Sequence, residues 1–160
     1  MCAQEAAALL EHLSSFPERM ARFNRNAVAV AGFLGEHPGI ARIFFNGHPG
    51  HRSHATARRL LAGAGSVMSF TLANDSEDAM RAFYDSALPG IVKAPSLGSD
   101  MTLLCPYTLL THYGEAEEVL AATGLPRYLL RLAVGCEQDI APVLRAVREA
   151  LANVKKVSGG

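Results

Sequence analysis

The sequence predicts an α/β (α+β) fold: a small, mostly antiparallel sheet of about four strands with helices on one face. Three observations carry this expectation. Helical and strand signals alternate along the chain, which favours layered packing of both element types. Hydrophobic residues make up 49% and charged residues 19% of the 160, a composition that supports a packed core rather than disorder. The chain also contains no repeat or low-complexity segment, and its length suits one domain.

From Glu5 to about Gly35 the apolar positions Ala8, Leu9, Leu13, Met20, Phe23, Ala27, Val30 and Phe33 recur at helical spacing. Pro17 is expected to divide this stretch into two helices, because proline lacks the donor that the helix needs and restricts the residue before it. Ser14 or Ser15 would then cap the second helix. Residues 1–15 are read as an N-terminal helix or linker. After His37-Pro38-Gly39, the run Ile40 to Phe45 reads as a strand and Asn46 to Gly50 as a turn. His54 to Leu61 reads as a helix stopped by Gly63-Ala64-Gly65. Val67 to Leu72 is the clearest strand. Asn74-Asp75-Ser76 offers a cap for a helix through Ala79, Phe83 and Tyr84. Ile91-Val92 opens a third extended segment running into Ser96, a loop follows, and Tyr128 to Val134 is the fourth strand. Ile140, Val143, Leu144, Val147 and Leu151 give the closing helix an apolar stripe. Residues 155–160 are expected to fray.

Lys+Arg and Asp+Glu each total 15, so charge gives no reason to expect nucleic acid or an anionic membrane as partner. No apolar run reaches the roughly 20 residues that a membrane span requires. The start of the sequence has no basic, signal-like region. Cys2, Cys105 and Cys136 are widely spaced, which fits reduced thiols, two of them buried, and a cytoplasmic location. His48, His51 and His54 are spaced three apart, but Pro49 and Gly50 place them on a turn without an acidic or cysteine neighbour, so no metal is expected there. Cys136 reads as a small buried residue.

Five segments in order carry a family resemblance: Phe16-Pro17-Glu18-Arg19-Met20 with Asn26-Ala27; His37 to Ile43 with Gly47-His48-Pro49; Gly63 to Phe70; Ser96-Leu97-Gly98 with Pro106 and Thr111-His112; and Arg131-Leu132-Ala133-Val134-Gly135-Cys136-Glu137. This order resembles the C-terminal domain of the Cys/Met-metabolism enzymes that use pyridoxal phosphate, the cystathionine synthases and lyases. The resemblance implies the C-terminal domain of a fold-type I pyridoxal-phosphate enzyme over residues 16–154. It implies a trans-sulfuration reaction in the intact enzyme, elimination or replacement at Cβ or Cγ of a sulfur-containing or O-acylated amino acid.

It also implies site residues. Arg131 would hold the substrate α-carboxylate, because guanidinium binds a carboxylate through two parallel charge-assisted hydrogen bonds. Ser96 would add a backbone contact to that carboxylate, and Leu97 and Gly98 would complete the turn. His112 would be structural. Ser99-Asp100-Met101 depart from the glycine that often follows this turn in the family, so the particular substrate does not carry over. No residue of this chain is expected to be catalytic, to bind the cofactor or to ligate a metal. The three lysines, Lys93, Lys155 and Lys156, lack the serine- and threonine-rich setting of the family's cofactor lysine. Pyridoxal phosphate therefore belongs to the intact enzyme, with none expected on this chain alone. The expected partner is a large cofactor-bearing domain or a second copy of the chain. The alternative is a non-catalytic interaction or assembly module derived from that domain.

Overall fold

A computed structural model of the chain describes residues 2–87 and 89–157. Its sheet has five strands: β1 (Ile40–Phe44), β2 (Val67–Leu72), β3 (Val92–Lys93), β4 (Leu103–Pro106) and β5 (Leu130–Ala133). They lie in the order β1-β2-β5-β4-β3. Neighbours pair antiparallel except β3 and β4, which are parallel, so the sheet is mixed. The helices are α1 (Ala3–Glu36), α2 (His54–Leu60), α3 (Glu77–Ser86), α4 (Tyr107–Thr111), α5 (Glu117–Thr123) and α6 (Ala141–Val157). Among the described residues no helix is long and apolar enough to cross a membrane.

Side chains alternate across the two faces of each strand. Register places Met68, Leu132 and Leu104 in one row and Ile43, Phe70 and Leu130 in another. Both rows face a single core built with Ala27, Val30 and Leu34 of α1, Ala79, Met80 and Phe83 of α3, and Val143, Val147 and Leu151 of α6. The long helices thus cover one face. The opposite face carries the alternate residues, including the row Phe44, Ser69, Arg131 and Cys105.

The structure corrects the expectation at Pro17. α1 runs unbroken through it. Pro17 and Leu13, whose carbonyl loses its helical donor, are both exposed. Ser14 and Ser15 cap nothing; their hydroxyls donate back to the carbonyls of Glu11 and His12 at 2.6 and 3.1 Å. Packing from Phe23 onward fixes the helix axis, and a missing exposed hydrogen bond does not outweigh it. The earlier turns carry Leu9, Leu10, Leu13 and Phe16 half-exposed or more.

The segment between Gly98 and Tyr128 is more ordered than the loop expected of it. It holds β4, α4 and α5. Leu103, Leu104 and Cys105 are all buried, so β4 lacks the polar alternation that marks a half-exposed strand. The third extended segment shrinks to Val92–Lys93, and just beyond it the Pro95 carbonyl accepts from Arg131. Ser76 does cap α3, accepting from the Ala79 N–H at 3.2 Å. Lys155, Lys156 and Val157, expected in the frayed tail, form the last turn of α6, where cations face the negative helix end. The rest of that tail, 158–160, lies outside the described residues.

Phe83 and Phe70 are fully buried and meet edge to face, with centroids 5.4 Å apart. Phe83→Ala is expected to cost about 3–5 kcal/mol of unfolding free energy, measured by chemical denaturation. Tyr84→Phe, at a partly buried neighbour, is expected to cost under about 1 kcal/mol.

Candidate substrate-carboxylate site

Arg131 stands at the middle of β5, the central strand. Its neighbours Leu130 and Leu132 are buried in the core, so strand alternation sends Arg131 to the open face. Register sets it directly between Ser69 of β2 and Cys105 of β4. Its Nη2 donates to the Pro95 carbonyl at 2.7 Å and approaches the Ser96 carbonyl at 3.5 Å. The guanidinium also lies 5.2 Å from the centre of the Tyr107 ring. Among the described residues no carboxylate pairs with Arg131, and its buried Nε has no hydrogen-bond partner.

The turn expected to share this site is there. Pro95, Ser96, Leu97 and Gly98 are exposed beside the arginine, and Gly98 has φ +74°, a left-handed conformation that glycine adopts without strain. Strand β3 fixes the approach to the turn, with the Val92 N–H donating to the Thr102 carbonyl at 2.9 Å and the Ala94 N–H to the Leu104 carbonyl at 3.2 Å.

A second set of contacts fixes the exit, and sequence reasoning missed it. The Gly135 N–H donates to the Thr102 hydroxyl at 3.0 Å, and Glu137 accepts from the Thr102 N–H. From α1, Asn26 donates to the carbonyls of Gly135 and Glu137 at 3.1 and 3.0 Å. Arg19 pairs with Asp100 at 2.7 Å, and the Cys136 thiol donates to the same carboxylate at 3.1 Å. The thiol hydrogen bond and then Arg19 hold the Asp100 carboxyl below the ordinary carboxylate range. Gly135 has no room for a side chain: a Cβ would fall on the Asp100 carbonyl oxygen and the Met101 carbonyl carbon.

Two of the three cysteines were expected to be buried and Cys105 is one of them, but its place beside Arg131 was not legible. Burial raises its pKa, and the neighbouring guanidinium offsets part of that rise. Cys136 is buried as well, and Cys2 is exposed. His48 and His51 use Nδ1 to accept the N–H groups of Gly50 and Ser53, and His54 Nδ1 lies 2.9 Å from the Asn46 carbonyl, so all three rings brace the turn. His112 lies 2.8 Å from Glu115. Lys93 pairs with Asp85 at 2.7 Å and covers the Tyr84 ring at 4.4 Å.

The two glycines of the site should respond differently to alanine. Gly98→Ala has open space and meets only the left-handed backbone penalty, about 1–2 kcal/mol. Gly135→Ala must displace the 100–102 backbone and should cost more, about 3 kcal/mol, at the upper end of ordinary overpacking. Chemical denaturation gives the two costs. The amide NMR signal of Thr102 should move only in the Gly135 variant.

Comparison with known proteins places these features in a family. Residues 1–152 match the model of the Cys/Met metabolism PLP-dependent enzymes, PLP being pyridoxal phosphate. Cystathionine gamma-lyase of Dictyostelium discoideum is 32% identical over 142 residues, covering 89% of this chain and 36% of the relative. Cystathionine gamma-synthase of Escherichia coli K12 is 33% identical over 129 residues, covering 81% of this chain and 33% of the relative. The crystal structure of cystathionine gamma synthase from Xanthomonas oryzae pv. oryzae in complex with cystathionine superposes with a TM-score of 0.83 at 33% identity, covering 92% of this chain and 37% of that one. The chain therefore spans about a third of the length of the curated relatives it matches. On the family match and these identities, the chain belongs to the Cys/Met metabolism PLP-dependent enzyme family.

Proposed function

We propose that this chain is the substrate-side, C-terminal domain of a trans-sulfuration-type enzyme, and that its part in the reaction is to hold the amino-acid α-carboxylate. The observation that carries this reading is Arg131: a guanidinium without a carboxylate partner among the described residues, oriented by the Pro95 carbonyl beside the Ser96-Leu97-Gly98 turn. Such a group binds a carboxylate in a fixed plane and so orients the Cα–H bond of the substrate. Pro95 and Ser96 take up Nη2 hydrogen-bonding capacity, and Tyr107 supports one face of the guanidinium. Cys105 packs beside it in the adjacent strand. The relatives named cystathionine gamma-synthase, cystathionine gamma-lyase and L-methionine gamma-lyase support a sulfur-containing amino acid as substrate class.

The lysines do not fit the cofactor's needs. Lys93 is committed to Asp85 and Tyr84, and Lys155 and Lys156 end α6. The division of labour proposed here gives the cofactor and the acid–base group to another polypeptide region, docked on the open face of the sheet. The exposed Leu9, Leu10, Leu13 and Phe16 on α1 offer that region further apolar surface.

Two measurements test the proposal. Purified chain treated with pyridoxal phosphate, reduced with borohydride and digested should show no stoichiometric, site-specific lysine adduct by mass spectrometry. Full modification of Lys93 alone would contradict the division of labour. Arg131→Lys loses the planar guanidinium and its free Nη1 donors and should weaken binding of a sulfur amino acid by on the order of tenfold to a hundredfold in an NMR titration, with little change in melting temperature.

A further inference from the structure

Two strands from Arg131, at the β1 edge, lies a cleft that the proposed reaction does not use. It encloses about 520 Å³ and is lined by Arg42, Ile43, Phe44, His48, Gly50, His51 and Arg52. Two of these residues are permanently cationic, two are imidazoles, and none is acidic. Among the described residues neither Arg42 nor Arg52 pairs with a carboxylate. In a chain whose basic and acidic residues balance at 15 each, such a one-signed cleft is a local concentration of positive charge.

The cleft is built rather than a chance meeting of side chains. Three successive turns close its wall, with the N–H groups of His48, His51 and His54 donating to the carbonyls of Phe45, His48 and His51 at 3.0, 3.0 and 2.9 Å. His48 is held further by Gly35 of α1, where a Cβ would strike its Nε2. His51 Nδ1 accepts the Ser53 N–H, which leaves the ring proton on Nε2 as a donor even when the imidazole is neutral. Arg42 lies over the Phe44 ring at 5.0 Å, a contact that favours one placement of its guanidinium. Phe44 adds apolar surface, and the cavity is larger than a bare oxyanion fills.

We propose that this cleft binds a phosphate group, free or carried as a small organic monoester, between Arg42 and Arg52. A phosphate near neutral pH carries about 1.5 to 2 negative charges and three strong acceptor oxygens, matching two guanidinium forks and an imidazole donor. Phe44 would meet the organic part of an ester. The site is separate from Arg131 and does not depend on the reading of that residue.

The test is an NMR titration of the chain with sodium phosphate and, separately, phenyl phosphate at constant ionic strength. Saturable shifts should map to Phe44, Gly50, His51 and Arg52. Arg42→Gln and Arg52→Gln should each weaken binding about tenfold, the scale of one lost charge-assisted contact. Arg59→Gln, on α2 and outside the cleft, should leave affinity within about twofold. Both arginines of the cleft are exposed, so the variants should keep the parent melting temperature. Tighter binding of phenyl phosphate identifies an ester as the ligand, and equal binding identifies the free ion; either supports the site. The proposal is overturned by shifts that fail to saturate, that map away from the cleft, or that survive both substitutions. Binding of polyglutamate but not of either phosphate overturns it too, since the cleft would then be a contact for an acidic protein.

Discussion

The register of β5 is the constraint on which the rest depends. Antiparallel pairing on both sides holds Leu130 and Leu132 against the helices and leaves Arg131 on the open face between Ser69 and Cys105. A slip of one residue would exchange the two faces, burying a guanidinium in a core that includes Phe70, Phe83 and Leu104 and exposing two leucines. Burying an unpaired charge is so unfavourable that the alternative register is excluded. The same packing that stabilises the domain therefore aims the arginine, with no separate cost for doing so.

Placement of the turn follows from a second constraint. Ser96-Leu97-Gly98 is exposed, and a free loop would lose conformational entropy on meeting a ligand. Here its two ends are held: β3 and β4 bond on one side, and Asp100 and Thr102 bond the 135–137 segment on the other. Asn26 ties that segment to α1, so the site and the helix are one unit. Gly135 is the tight point, because the two loop backbones meet where its side chain would be.

Much of this was legible in the sequence, and the exceptions have physical causes. Strands β1, β2 and β5 stand out as short apolar runs, α3 by its cap and α6 by its apolar stripe, and the structure has them. The resemblance pointed to Arg131 and Ser96, which the fold brings within 3.5 Å. What was not legible was made by tertiary contact. β4 is buried at every strand residue but Pro106, so it has no alternation to read. Pro17 signals a break only when helix formation is local, and here packing further along the chain holds the helix. Cys105 and Tyr107 join the site through strand pairing and ring stacking, which no local pattern encodes. The Asn26 tie spans more than a hundred residues and was equally invisible.

On the proposed function, the face around Arg131 recognises a carboxylate. This recognition is tested most directly by comparing L-serine with L-serinamide in NMR titrations of the chain at equal ionic strength. L-serine should move the signals of the Arg131 guanidinium and of the Ser96 and Gly98 amides, and L-serinamide, which lacks the carboxylate, should not. Equal responses to the two compounds, or shifts confined to residues away from Arg131, would contradict it.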